Sequence, residues 1–150
     1  MNKQMTQSTK LSDIKRSWHL VDLKGQVLGR AAVKISMLLM GKTKPYFVRN
    51  LDCGDYVVVI NAKEVVATGK KEQGKVYYRY SGYPGGLRSE TLRELRERKP
   101  TDIIIHAVKG MLPQNRLRDR MLTRLKVFAG EEHSFQDKLK AQSSKLKTKT

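Results

Sequence analysis

Five consecutive residues, Tyr56-Val57-Val58-Val59-Ile60, are apolar and mostly β-branched. A strand with one wet face alternates polar and apolar side chains, whereas a continuous run has no polar face to give to water. Such a run suits a strand covered on both sides, as in a parallel sheet. Its surroundings read as alternating strands and helices. Trp18-His19-Leu20-Val21-Asp22 reads as a short strand, followed by a turn at Lys24-Gly25. Leu28, Ala31, Ala32, Ile35, Leu38 and Leu39 fall at helical spacing on one apolar stripe, and Gly41 ends that helix because glycine adopts positive φ. Val65-Val66-Ala67 reads as a further short strand and Val76 to Tyr80 as a tyrosine-rich one, on either side of a charged loop, Lys70 to Lys75.

Ser81 to Gly86 is a glycine-rich loop in which a regular element is excluded. Ser89 is expected to cap a helix that runs to Lys99 and is closed by Pro100. Asp102 then caps a helix that ends at Gly110, and Pro113 starts a basic helix that gives way to Leu125-Lys126-Val127-Phe128. Alternation of this kind defines the α/β class, and 150 residues suffice for about one domain.

Charge decides the class of partner. The chain has a net charge of +17, of which residues 1–17 carry +3 and residues 131–150 carry +2, so the folded middle itself holds +12. A charge kept for solubility alone is about 2 to 8 in magnitude. A body this cationic repels itself unless a polyanion neutralises it, and nucleic acid is the commonest. Leu, Ile, Val and Phe number 37, about a quarter of the chain, which is above the level at which a charged chain stays disordered. No apolar run reaches the roughly 20 residues of a membrane helix. Met1 to Arg16 is polar and has no apolar signal-peptide core, and the single cysteine, Cys53, forms neither an internal disulfide nor a CxxC site. A cytoplasmic protein is expected.

Arg116, Arg120 and Arg124 lie within about 80° of arc on one helix face. Stacked like charges destabilise an isolated helix, so the ridge is read either as a solvated face or as a phosphate-tracking one. The planar guanidinium, which binds phosphate oxygens in bidentate fashion, favours the latter. Lys42, Lys44 and Arg49 lie in and beyond the loop after Gly41, and Lys70, Lys71 and Lys75 surround Gly74. Tyr77, Tyr78, Tyr80 and Tyr83 interleave with Lys75, Arg79 and Arg88. Tyrosines beside bases either stack on unpaired nucleobases or pack in a core, and about half are expected to do the latter.

Gly41-Lys42-Thr43 imitates the end of a P-loop but lacks the earlier glycine, Ser36 standing there, and ends a helix instead of opening one. His19, His106 and His133 are too scattered for a metal spacing. Two other readings stay open on the residues alone. One is an RNA-processing or RNA-modifying enzyme that uses Cys53, or Asp52 and Asp55, with a histidine. The other is a DNA-binding nucleoid or regulatory protein.

Several segments together resemble a known family. They are Trp18 to Asp22, Leu28-Gly29-Arg30-Ala31-Ala32, Gly41-Lys42, Asp52 to Val59, Thr68-Gly69-Lys70-Lys71, Ser81 to Gly86, Val108-Lys109-Gly110-Met111-Leu112-Pro113, and Leu125 to Gly130. In this order and spacing, from about residue 16 to 133, the chain is similar to ribosomal protein L-thirteen of the large subunit in its bacterial or organellar form. The block from Lys109 to Pro113 followed by the basic helix is the most specific part. The resemblance implies a three-layer α/β/α single domain over 16–133, with a short, mostly parallel sheet of about four strands. Outside that core the residues read as a flexible basic extension over 1–15 and a polar basic tail over 134–150.

The function it implies is non-catalytic: binding large-subunit ribosomal RNA, contacting neighbouring ribosomal proteins, and supporting early assembly. No cofactor, metal, membrane or small-molecule substrate is expected. On charge, the RNA contacts expected are Lys42, Lys44, Arg49, Lys70, Lys71, Lys75, Arg79, Arg88, Lys109, Arg116, Arg118, Arg120, Arg124 and Lys126.

Overall fold

The computed structural model describes residues 9–139. The extension and tail expected over 1–15 and 134–150 therefore lie partly outside the described residues. Strands β1 (Trp18–Asp22), β2 (Tyr56–Ile60) and β5 (Leu125–Val127) form a parallel sheet in the order β1-β2-β5, so the apolar run is the central strand. Val57, Val58 and Val59 are fully buried, as a strand covered on both faces requires. Alternation sends Val57 and Val59 to one face, where they join Val21 and Leu125 in the main core. Helices α1 (Leu28–Met40), α4 (Pro100–Met111) and α5 (Leu117–Thr123) pack there through Ile35, Leu39, Ile104, Val108 and Met121. On the opposite face Trp18 and Tyr56, partners in register, stack at 4.4 Å, and Phe135 stacks on Trp18 at 5.4 Å. The helical residues 136–139 follow, with Lys138 over the Trp18 ring.

Helix α1 ends as its glycine requires. Gly41 has φ 77°, and the amides of Gly41 and Lys42 both donate to Met37 O. A Cβ on Gly41 would also meet Cys53 O at 2.5 Å, so the position needs glycine both for its backbone angle and for close packing.

Several local expectations are corrected. Val66 makes only a single parallel bridge to Val27, and Lys71–Gly74 is a short helix, α2, within the charged loop. Ser89 does not cap a helix. It lies in β4 (Leu87–Thr91), which pairs antiparallel with β3 (Val76–Tyr80) as a separate two-stranded ribbon. The cap of α3 (Leu92–Arg98) is Thr91, whose hydroxyl accepts from Glu94 N while its own amide donates to Glu94 Oε2. Pro100 opens α4 instead of only closing α3, because the first helical position has no amide bond to lose. Asp102 sits in the first turn of α4, not at its cap, and the basic helix begins after Arg116, not at Pro113.

Candidate nucleic-acid interface

The loop from Gly41 to Asp55 joins α1 to β2 and is held by two buried ionic knots. In the first, Arg124 is only 4% exposed. Helix α5 ends at Thr123, and Arg124, which flanks its C-terminus with helical backbone angles, has its side chain buried at the junction with β5. Its two terminal nitrogens donate to the two carboxylate oxygens of Asp52, and Nη2 also donates to Leu39 O at 3.3 Å. Arg16 reaches Asp52 from the rim at 3.5 Å. Gly54 is where Arg124 and α1 converge: a Cβ there would overlap Leu39 O and lie 2.9 Å from Arg124 Nη2.

In the second knot Lys44 Nζ donates to Asp55 Oδ1 at 2.5 Å, Lys15 O at 2.7 Å and Cys53 O at 2.9 Å. Asp55 also accepts from Ser17 N at 2.8 Å, and His19 Nε2 lies 3.0 Å from its Oδ2. Burial pushes the Asp55 carboxyl upward, but the bonds from His19, Lys44 and Ser17 outweigh it and hold the group below its ordinary range. A carboxyl depressed on folding stabilises the fold fully above the unfolded value of about 4 and loses that contribution as pH falls through the lower folded value. The wild-type chain is therefore expected to lose stability more steeply than Asp55→Asn between about pH 4 and pH 2. Urea unfolding at a series of pH values checks this, and equal slopes contradict it.

Two residues of the expected contact set lie in these knots: Lys44 and the terminal nitrogens of Arg124 donate to partners inside the protein, while Arg124 Nε is buried without a partner. Of the arginine ridge, Arg116 and Arg120 remain exposed, while Arg118 is half-buried with Nε lacking a partner. Arg120 and Lys126 line a concavity of about 760 Å³ together with Arg16 and Lys138. Trp18, Tyr56 and Phe135 form its aromatic wall. Lys42 and Arg49 line an adjoining hollow beside Met111, Pro113 and Asn115, with Leu51 common to both. Lys109 is exposed near the end of α4, and Lys70, Lys71, Lys75, Arg79 and Arg88 are exposed on α2 and the ribbon. Sequence reasoning missed Arg16 and Lys138. Their signal was available only as bases flanking the body, beside the aromatic residues Trp18 and Phe135.

Of the catalytic candidates among the described residues, only Asp55 meets a histidine, His19, and Asp55 is itself buried. Cys53 is fully buried. Asp52 and Asp55 face different cations and make no shared carboxylate site. No group of three or more metal-ligating side chains occurs among the described residues, and no described helix is long and apolar enough to cross a membrane.

A small α/β body that displays exposed cations around concavities presents the kind of surface that nucleic-acid-binding proteins use. Residues 16–134 match the family described as "Ribosomal protein L13". The chain is 57% identical over 128 residues to the "Large ribosomal subunit protein uL13" of Dehalococcoides mccartyi, a match covering 85% of this chain and 90% of that one. The proteins of the same name from Syntrophus aciditrophicus and Clostridioides difficile are 51% and 50% identical, over 85% and 83% of this chain and 90% and 87% of theirs. The chain belongs to the ribosomal protein L13 family.

Proposed function

We propose that the chain is a structural constituent of the large ribosomal subunit that binds large-subunit RNA, contacts neighbouring ribosomal proteins and supports early assembly on cytoplasmic ribosomes of bacterial type. Its bacterial relatives are named for that subunit. The observation that carries the mechanism is the concavity where Arg16, Arg120, Lys126 and Lys138 converge. A rigid body holding cations at fixed positions neutralises phosphates where RNA strands approach each other and lowers the cost of compacting them. Phosphate contacts orient such a protein, and RNA shape supplies the selectivity.

In this reading Lys42, Arg49, Lys109, Arg116 and Arg118 extend the phosphate-binding surface, and Lys70, Lys71, Lys75, Arg79 and Arg88 form a further set around α2 and the ribbon. Residues 16–133 act as the RNA-binding body, and the basic segments 1–15 and 134–150 add charge at its two ends.

A sucrose gradient of cell lysate tests the reading. The chain is expected to comigrate with large-subunit particles at moderate salt. Sedimentation as a free protein at every salt concentration contradicts it.

A further inference from the structure

The ends of α1 and α4, helix α5 and the loop from Gly41 to Asp55 enclose a hollow of about 440 Å³. Its deep lining is apolar: Met40, Leu112 and Met121 are at most 8% exposed and belong to the main core. Phe47 packs against that core, and Met111, 40% exposed, stands at the mouth. The volume lies within the roughly 300–1,000 Å³ of pockets that take one small ligand. Three thioethers in one hollow favour a ring as occupant, because methionine sulfur makes favourable contacts with aromatic rings and the unbranched chain adjusts to a flat surface.

The polar lining narrows the occupant further. Lys42, Arg49 and Asn115 supply all the polar side chains, and no carboxylate is present. Lys42 and Arg49 have no ion-pair partner among the described residues. Asn115 Oδ1 accepts from Leu117 N at 3.1 Å, which leaves its Nδ2 as a donor. The hollow thus joins a ring-binding interior to side chains that offer only donors. Its complement is a flat ring carried on an anionic, acceptor-rich group, which is the chemistry of a nucleotide. An apolar protein side chain would fill the interior but leave both cations unneutralised. A continuous duplex offers phosphates but keeps its bases stacked. Leu51 also lines the concavity that holds Arg16, Arg120, Lys126 and Lys138, so the two sites are contiguous. A nucleic-acid strand has a phosphate at every residue and satisfies both along one path.

We propose that this hollow receives one unpaired nucleotide turned out of the bound RNA, its base against Met111, Met121 and Phe47 and its phosphate held by Lys42 and Arg49. This rests on the RNA-binding reading above and adds to it a socket for a base, which phosphate neutralisation alone does not require.

Three RNA hairpins with the same stem test it: one fully paired, one with a single-adenosine bulge, and one with an abasic residue in place of that adenosine. Each is titrated into the full chain at one low salt concentration. Fluorescence anisotropy is expected to show the adenosine bulge bound at least about fivefold tighter than the abasic one, the lower end for a single base held against protein. With carbon-13 in the methionine methyl groups, the Met111 and Met121 signals are expected to move upfield with the adenosine bulge and to stay in place with the abasic RNA. Met37, 44% exposed on α1 and outside the hollow, is expected to stay in place throughout. Met111→Ala is expected to reduce the adenosine preference at least about twofold, and Met111→Leu, which keeps an apolar wall, to retain it. Equal affinities for the bulged and abasic RNAs, unmoved Met111 and Met121 signals, or a preference untouched by Met111→Ala overturn the proposal. Signals that ignore every RNA but move when purified large-subunit proteins are added also overturn it, because the hollow would then be a protein socket. Failure of all three RNAs to bind removes the RNA-binding reading itself.

Discussion

Replacing Arg124 by methionine is expected to lower the unfolding free energy by about 3–5 kcal/mol. The loss comes less from the attraction removed than from the charge left behind. Asp52 is buried at 9% exposure, and without Arg124 only the half-exposed Arg16, 3.5 Å away, remains to it. Methionine fills much of the vacated volume, which keeps the cavity contribution small and isolates the electrostatic one. Against a typical total of 5–15 kcal/mol the cost is large, and for a chain of this length it lowers Tm by about 10 °C or more. Adding Asp52→Asn to Arg124→Met is expected to recover part of the loss, because the orphaned charge goes with it. Urea unfolding of the two single variants and the double variant measures that coupling. A near-neutral Arg124→Met would mean that the guanidinium faces solvent and belongs with Arg116 and Arg120 after all.

RNA affinity is expected to fall steeply with salt. Each neutralised phosphate releases counterions, with a log–log slope of about −0.7 to −0.9 per contact. If about six phosphates are held, raising salt from about 50 to about 500 mM weakens binding by about 10⁴- to 10⁵-fold. Arg120→Ala with Lys126→Ala removes two cations from the 760 Å³ concavity without touching either buried knot. That variant is expected to reduce the slope by about two while leaving thermal stability within about 1 kcal/mol. A flat salt response would exclude phosphate neutralisation as the main source of affinity.

What the sequence makes legible here is local. The apolar run 56–60, the stripe of α1 and the glycine that ends it are set by neighbouring residues and appear in the fold where periodicity places them. Thr91 and Glu94 were equally readable as a capping box, but Ser89 drew the boundary two residues early because the pairing of Leu87–Thr91 with β3 is a tertiary fact. The site divides the same way. Exposed bases such as Lys42, Lys71 and Arg120 follow from charge alone. Arg124 is bonded to a residue 72 positions away, and Lys44 to Lys15 and Asp55, 29 and 11 positions away. No spacing rule within a helix or loop anticipates such partners. An arginine at i+4 and i+8 from two others reads as one ridge until its burial against Asp52 is seen.

The separation of supporting from RNA-facing cations can be measured residue by residue. Lysine acylation followed by mass spectrometry is applied to the free chain and to the chain within large-subunit particles. Lys42 and Lys126 should react when free and be protected in the particle, while Lys44, whose side chain is 12% exposed, should resist in both. Equal reactivity of Lys42 and Lys126 in the two states, or a freely reactive Lys44, would contradict the assignment of these groups to surface and interior.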